Sequence, residues 1–202
     1  AYLGLAIYGG GLLILALRFL PETNLYFHEK TLHGTFFLKN YIKLIKNREF
    51  MGYLLTSCFL FALPLIIFCT MPILLATAFQ LSMTSYTWLS ILNISFYLFG
   101  IYLGYLFSQG IGIHLIITLG IFIAIVAAAL GLLLGALDIM TLEAIYFPSC
   151  FVLLGSGIAI PCTLGAYSDK LYMYPGTGTS IQLFCLVFLA SMINFLNAIL
   201  HE

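Results

Sequence analysis

HLIITLGIFIAIVAAALGLLLGAL, residues 114–137, is a continuous apolar run without a single charged side chain. A helix needs about 20 mostly apolar residues to cross the hydrocarbon core of a bilayer, and this run is long enough. A membrane-spanning strand would instead need about ten residues in which polar and apolar side chains alternate. The stretch therefore predicts a membrane-spanning α-helix.

The composition of the chain extends this prediction beyond one helix. Of the 202 residues, 63% are hydrophobic and only 7% are charged, whereas about a quarter of the residues in a soluble domain are charged. The mean hydropathy of +1.14 agrees with a protein surrounded by membrane lipid. The net charge of +0 argues against nucleic-acid binding, which needs a basic surface to displace counterions. We expect an all-α, polytopic membrane protein.

Six stretches of the sequence are long and apolar enough to span a membrane, and turn-forming or polar residues separate them. They are residues 1–20, 50–77, 88–108, 114–137, 142–164 and 178–200. We therefore expect a first transmembrane helix over 1–20, a polar loop over 21–49 and a bundle of five helices over 50–202. The chain has no initiator methionine and opens inside an apolar run, so we expect it to be part of a longer chain.

The basic residues predict the orientation of these spans, because Lys and Arg collect on cytoplasmic loops. Alternating the direction of six spans places every Lys and Arg at one membrane face. One group of them lies at or within the first loop, and the other is a single lysine between the fifth and sixth spans: Arg18, Lys30, Lys39, Lys43, Lys46 and Arg48, then Lys170. The loop over 21–49 is therefore predicted to be cytoplasmic.

This loop also contains a segment with the pattern of an interfacial helix. One face of this helix would carry apolar side chains at helical spacing: Phe37, Leu38, Tyr41, Ile42 and Ile45. The opposite face would carry a stripe of lysines: Lys39, Lys43 and Lys46. Such a helix would lie at the membrane surface with its lysines toward the headgroups. The alternative is a solvated basic linker.

Motifs of enzymes and of metal or cofactor sites are absent from the sequence. No GxSxG, HExxH or pair of intramembrane acids occurs, and Gly9-Gly10-Gly11 lacks the GK[ST] that completes a phosphate-binding loop. The cysteines form no CxxC pair, and we interpret all five as small buried hydrophobic residues: Cys58, Cys69, Cys150, Cys162 and Cys185. We expect neither catalysis nor a bound cofactor.

Several segments resemble one family in their order and spacing. RFLPET (18–23) and KNYIKLIKNREFMGY (39–53) are similar to the central loop and the start of helix 7 in bacterial drug–proton antiporters of the major facilitator superfamily. MPILL (71–75), Ile160-Pro161 and GTGTS (176–180) resemble later helix ends of the same proteins. The likeness is closest to the bicyclomycin and chloramphenicol resistance subfamily. It extends over nearly all of the chain.

This resemblance implies a fold, a function and a location. The six spans would correspond to helices 6–11 of a twelve-helix transporter in the bacterial inner membrane. That transporter would export small amphipathic compounds or drugs by proton antiport through alternating access. Its N-terminal helical bundle would carry the acids that couple to protons and would be a partner of this chain. The basic-acidic signature of the family between helices 8 and 9 is reduced here to GYLFSQG (104–110), without Asp or Arg.

The polar residues within the spans are neutral, because no Asp, Glu, Lys or Arg lies near the middle of any of them. Polar groups at this depth face a partner helix or a water-filled path. Two pairs of polar residues are four positions apart and so lie on one helix face: Tyr53 with Ser57, and Asn93 with Tyr97. Gln182 lies near the start of the last span. These five residues are the candidates to line a substrate cavity. For each of them taken alone, hydrogen bonding between helices is the alternative.

Prolines and glycines indicate where helices bend or pack closely. Pro64 and Pro72 lie within the second span, where each removes a backbone hydrogen bond, so we expect a kink or tilt that would suit a gate. Two GxxxG pairs present small faces to neighbouring helices: Gly100 with Gly104, and Gly131 with Gly135.

Two functions thus remain open from the sequence. The first is a secondary active transporter, or its C-terminal half, that exports small compounds in exchange for protons. The second is a truncated, transport-inactive remnant that serves as a membrane scaffold or has no function. The reduced loop at 104–110 and the family helices that this sequence lacks motivate the second function.

Overall fold

The computed structural model describes residues 2–19, 41–139, 141–170 and 175–200. Its long helices number six within these ranges: α1 (Tyr2–Phe19), α2 (Arg48–Ala78), α3 (Met83–Ser108), α4 (Ile113–Ala136), α5 (Leu142–Lys170) and α6 (Pro175–Leu200). A short helical stretch over 41–45 precedes α2, and the described residues contain no strand. The chain divides into one unit that contains α1 and a second unit that contains α2–α6. The all-α fold class is therefore confirmed.

Four of these helices are long and apolar enough to cross a membrane. The qualifying segments are Arg48–Ala78, Thr84–Ser108, Ile113–Ala136 and Leu142–Ala166. Two shorter apolar helical segments, Ala6–Phe19 and Gly178–Ile193, lie within the first and last predicted spans. Helices of the length and composition needed to cross a membrane are thus confirmed for four of the six predicted stretches.

Side-chain caps determine where several helices begin. The Asn47 side-chain oxygen accepts hydrogen bonds from the backbone amides of Glu49 and Phe50 at 3.1 and 3.4 Å, at the start of α2. The Ser82 hydroxyl accepts one from the amide of Ser85 at 3.3 Å, at the start of α3. These contacts satisfy amides that have no partner within the helix.

The helix α5 occupies the centre of the second unit. It packs against α2, α3 and α4, and 72% of the residues in its apolar 18-residue window are buried, against 28% in the corresponding windows of α2 and α4. Its sequence contains Gly155 and Gly157, which are two residues and therefore about 200° apart around the helix. The two glycines consequently lie on opposite faces of α5.

Each of these glycines lies in close contact with the backbone of a different neighbouring helix. A Cβ at Gly155 would lie 2.5 Å from the carbonyl oxygen of Gly120 in α4. A Cβ at Gly157 would collide with the carbonyl of Tyr97 in α3, and Gly100 lies against the same turn of α5. Two close helix crossings, one on each side, therefore fix α3 and α4 to α5.

The predicted GxxxG pairs differ in their surroundings. Gly100 and Gly104 both face the α5 backbone, with a Cβ at Gly104 only 2.8 Å from the Ile158 carbonyl oxygen. A Cβ at Gly131 would lie 3.2 Å from Cβ of Pro148, whereas nothing lies within 4 Å of one at Gly135. Gly135 lies near the end of α4, where the surrounding space is open.

The helix α6 packs mainly against α2. Their shared apolar core also includes one residue of the 41–45 stretch, and its buried members are Leu44, Phe50, Leu54, Cys58, Ile181 and Leu186. The helix α2 continues through both prolines, and Pro64 is buried. At 31 residues it is about 46 Å long, more than the hydrocarbon core requires.

The cysteine prediction holds for most positions and is wrong for one. All five thiols are free, and Cys58, Cys150 and Cys162 are buried. Cys69, however, is exposed. Cys185 is partly buried against the core that α2 and α6 share.

Candidate functional site

Tyr53 and His114 form the polar contact between α2 and α4. The Tyr53 hydroxyl lies 3.2 Å from each ring nitrogen of His114, and the two ring centroids are 5.9 Å apart. Tyr53 packs both on the α2–α6 core and on the cluster that α4 and α5 form around Ile116 and Ile158. It therefore connects the two sides of the bundle.

The same end of the bundle contains a second tyrosine contact. The Tyr41 hydroxyl lies 2.8 Å from the Ser180 hydroxyl, which joins the 41–45 stretch to the first turns of α6. Together with the Tyr53–His114 contact, this bond shows that α2, α4 and α6 all begin at one end of the bundle. We call this end the Tyr41 end.

Ser57, the second candidate on α2, is 1% exposed. Its hydroxyl donates a hydrogen bond to the Leu54 carbonyl of its own helix at 2.8 Å. The donor capacity of Ser57 is therefore used within α2.

Asn93 takes part in a hydrogen bond between α3 and α5. Its side chain is 4% exposed, and its amide oxygen accepts a hydrogen bond from the Cys150 thiol at 3.1 Å. One turn away, the Tyr146 hydroxyl of α5 donates to the Leu89 carbonyl of α3. These contacts correspond to helix-to-helix bonding, the alternative that the sequence left open for Asn93.

Tyr97 lies one turn further along α3, where α2, α3 and α5 meet. It packs against a buried cluster made of Leu60, Ala159 and Ile160. Its backbone carbonyl is the group that approaches Gly157 so closely. Tyr97 thus contributes to the α3–α5 crossing as well as to the apolar interior.

Gln182 is the exception among the five candidates. It is 5% exposed, and its side-chain nitrogen Nε2 is buried without a hydrogen-bond partner. In the part of the chain that the structure describes, no other buried side-chain nitrogen or oxygen lacks a partner. The five candidates occupy different helix contacts, and only Gln182 retains an unused polar atom of this kind.

An apolar groove on the outside of α4 and α5 was not foreseen from the sequence. It has a volume of about 270 Å³. Several lining residues are exposed, including Phe122 at 63% and Phe147 at 60%. The remaining lining residues are Ile123, Val126, Ala127, Leu130, Pro148 and Phe151. Its large aromatic side chains come from two helices, so neither helix alone predicts a groove.

Charge is scarce around all of these residues. No Asp, Glu, Lys or Arg occurs over residues 50–137 or 144–168. Within the described residues, no group of three or more His, Cys, Asp or Glu side chains could hold a metal ion. The interior of the bundle therefore offers neutral hydrogen-bonding groups and apolar surface.

Comparison of the chain with family models, with curated proteins and with solved structures returned no match. The interpretation of the site therefore depends on the chemistry of its own residues and on the motifs in the sequence.

Proposed function

We propose that this chain is the C-terminal half of a secondary active transporter, of the drug–proton antiporter type in the major facilitator superfamily. In this proposal it exports small amphipathic compounds by alternating access. The observation that carries the proposal is the buried, unpartnered amide of Gln182 within a charge-free helical bundle. Leaving a buried donor unsatisfied costs about 1–3 kcal/mol, so such a group calls for a partner from outside the described bundle.

The packing of the bundle supports a moving part beside this amide. The helix α6 packs mainly on α2 through side chains, whereas α3 and α4 meet α5 at the level of the backbone. The two prolines of α2 each remove one backbone hydrogen bond and so weaken the helix locally. A shift of α6 relative to α2 would expose Gln182 without separating the glycine crossings.

The proposal extends to topology and partners. The six apolar stretches would be helices 6–11 of the transporter, with residues 21–49 in the bacterial cytoplasm. The charge-free interior contains no acid that could carry a proton, so the coupling acids would belong to an N-terminal bundle that packs against this chain. Protons and a small-molecule substrate would then be the transported species.

Transport itself can be tested with the full-length natural protein in lipid vesicles. A pH gradient is imposed and the uptake of a broad panel of amphipathic drugs is measured, with protein-free vesicles as the control. We expect uptake that depends on the gradient and disappears when a protonophore collapses it. Gradient-independent behaviour for every compound would rule out proton-coupled export.

The orientation can be tested separately with single cysteines at Lys43 and Thr84 in a cysteine-free background. A membrane-impermeant maleimide applied to intact cells is expected to label position 84 and to leave position 43 unlabelled until the cells are opened. The reverse order would contradict a cytoplasmic loop.

A second candidate function is a transport-inactive membrane scaffold. Its support is that the buried hydroxyl of Ser57 and the amide oxygen of Asn93 are already bonded within the bundle. Such bonds stabilise helix packing and need no ligand. An intact upstream half in the same reading frame, together with gradient-driven uptake, would exclude this function.

A further inference from the structure

The amide of Gln182 differs from the other buried polar side chains of the described bundle. Those side chains either bond to a carbonyl of their own helix or bond across a helix contact. The first kind comprises Ser57, Ser149, Ser156 and Thr163, and the second is Asn93. Among the side chains that the structure describes, only Gln182 keeps a buried N–H group without an acceptor. Packing has therefore left one specific hydrogen-bond donor available.

We infer that Gln182 determines substrate specificity by donating a hydrogen bond to an acceptor oxygen of an uncharged, amphipathic compound. This inference rests on the proposed transport function and names the chemistry of its substrate. The unsatisfied atom is a nitrogen donor, so its complement is an acceptor such as a ketone, amide or ester carbonyl. A ligand that offers only hydrogen-bond donors would not satisfy it.

The charge of the surroundings restricts the substrate further. The bundle has no carboxylate over residues 50–137 or 144–168 that could balance a cation. A buried charge without a counter-charge is far more costly than a buried neutral polar group. Within the described bundle, the donor of Gln182 is therefore matched by a neutral compound rather than by a lipophilic cation.

Gln182 lies near the Tyr41 end of the bundle, beside apolar residues of the α2–α6 core. Gln182 is two residues, or about 3 Å along the helix axis, from Ser180 at the Tyr41 end. Its neighbours in the α2–α6 core, such as Ile181 and Leu186, are apolar and would contact the carbon skeleton of the ligand. A compound with one acceptor on an apolar body thus matches both features of the site.

A matched pair of probes tests the role of the acceptor. Benzophenone and diphenylmethane have similar apolar bodies, but only benzophenone has a carbonyl. Binding of each to the full chain in vesicles is measured by equilibrium dialysis, with partitioning into protein-free vesicles subtracted. We expect the wild-type protein to bind benzophenone about tenfold more tightly, the upper range for one neutral hydrogen bond.

Variants connect this preference to one side chain. Gln182→Leu removes the donor at similar volume and is expected to abolish the tenfold difference. Its stability in detergent should equal or exceed that of the wild type, because no unsatisfied donor remains. Gln109→Leu, at an exposed glutamine in the turn after α3, is the matched control and should retain the full difference. Gln182→Met serves as a second donor-free variant and should behave like Gln182→Leu.

Benzophenone also reports its own position, because light links it covalently to nearby C–H bonds. We expect the labelled peptides to come from α6 and the facing part of α2, and labelling to fall in Gln182→Leu. Labelling confined to the groove between α4 and α5 would overturn the inference.

The remaining outcomes separate this inference from the function on which it rests. Equal binding of the two probes, a preserved difference in Gln182→Leu, or tighter binding of tetraphenylphosphonium than of benzophenone would overturn the inference. Gradient-driven drug uptake by the natural protein would still stand in those cases. Absence of uptake for all compounds would instead overturn transport, and with it any role of Gln182 in substrate specificity.

Discussion

Replacing Gly155 by alanine tests the central contact of the bundle. The added Cβ would lie 2.5 Å from the Gly120 carbonyl oxygen and 2.8 Å from the Ala124 amide nitrogen. Both atoms belong to the α4 backbone, which cannot swing aside as the end of a side chain can. An ordinary contact begins near 3.4 Å, so α4 has to withdraw by about 0.9 Å. The withdrawal loosens the whole α4–α5 crossing.

The expected cost follows from this displacement. Overpacking of a close-packed interior typically costs about 1–3 kcal/mol, which lowers the folding equilibrium constant by about 5- to 150-fold. Gly135→Ala is the matched control on α4, because nothing lies within 4 Å of the added Cβ. At that position the higher helix propensity of alanine should leave stability unchanged or raise it by up to about 1 kcal/mol.

The assay is reversible unfolding in mixed detergent micelles, in which sodium dodecyl sulfate is titrated and helix content is followed by circular dichroism. We expect the free energy of unfolding to fall for Gly155→Ala and not for Gly135→Ala. Equal stability of the two variants would refute the close approach of α4 to α5. A fall in the free energy of unfolding for Gly135→Ala alone would mean that α5 crosses α4 near Gly135 and not near Gly120.

Further outcomes follow from the polar contacts and the thiols. Cys150→Ala leaves the buried amide oxygen of Asn93 without its donor and should lower the free energy of unfolding by about 1–3 kcal/mol, whereas Cys150→Ser should retain most of that energy; equal losses in the two variants would contradict this hydrogen bond. Tyr53→Phe removes the contact with His114 and should lower the free energy of unfolding by about 0.6 kcal/mol in the same micellar assay. An unchanged free energy would mean that the contact does not hold α2 to α4. An apolar maleimide should modify Cys69 faster than any of the three buried thiols, and mass spectrometry measures the rates. Equal rates of modification would contradict the exposure of Cys69 on α2.

The helices could be predicted from sequence to within a few residues where hydropathy changes abruptly. The run over 114–137 corresponds to Ile113–Ala136, and the run over 50–77 corresponds to Arg48–Ala78. Hydropathy alone predicts a third span that begins at residue 88, which is too late, because the first turn of the helix is not strongly apolar. Its actual start at Met83 is determined by the Ser82 hydroxyl, which hydropathy does not register.

The contacts between helices were harder to predict, because each depends on two distant segments. The GxxxG spacing correctly indicates small residues at 100 and 104, but it does not identify the α5 backbone as their neighbour. The GxxxG pattern does not identify Gly155 and Gly157, because residues two positions apart lie on opposite faces of a helix and do not form a single surface of small residues. Likewise, His114 on its own indicates an interfacial residue, and only the fold brings Tyr53 to it from 61 positions away.

The close contacts of the bundle are of two kinds: α3 and α4 meet α5 through their backbones, and α2 meets α6 through side chains. A glycine crossing allows two backbones to touch, so any sliding of α3 or α4 along α5 would drive carbonyl groups into one another. The α2–α6 contact consists of side chains such as Leu54 and Leu186, which can change rotamer and repack. A conformational change would therefore involve less strain between α2 and α6 than at α5. The Gln182 side-chain nitrogen that lacks a partner belongs to α6, so in our proposal a shift of α6 on α2 would open it to a ligand without separating the glycine crossings.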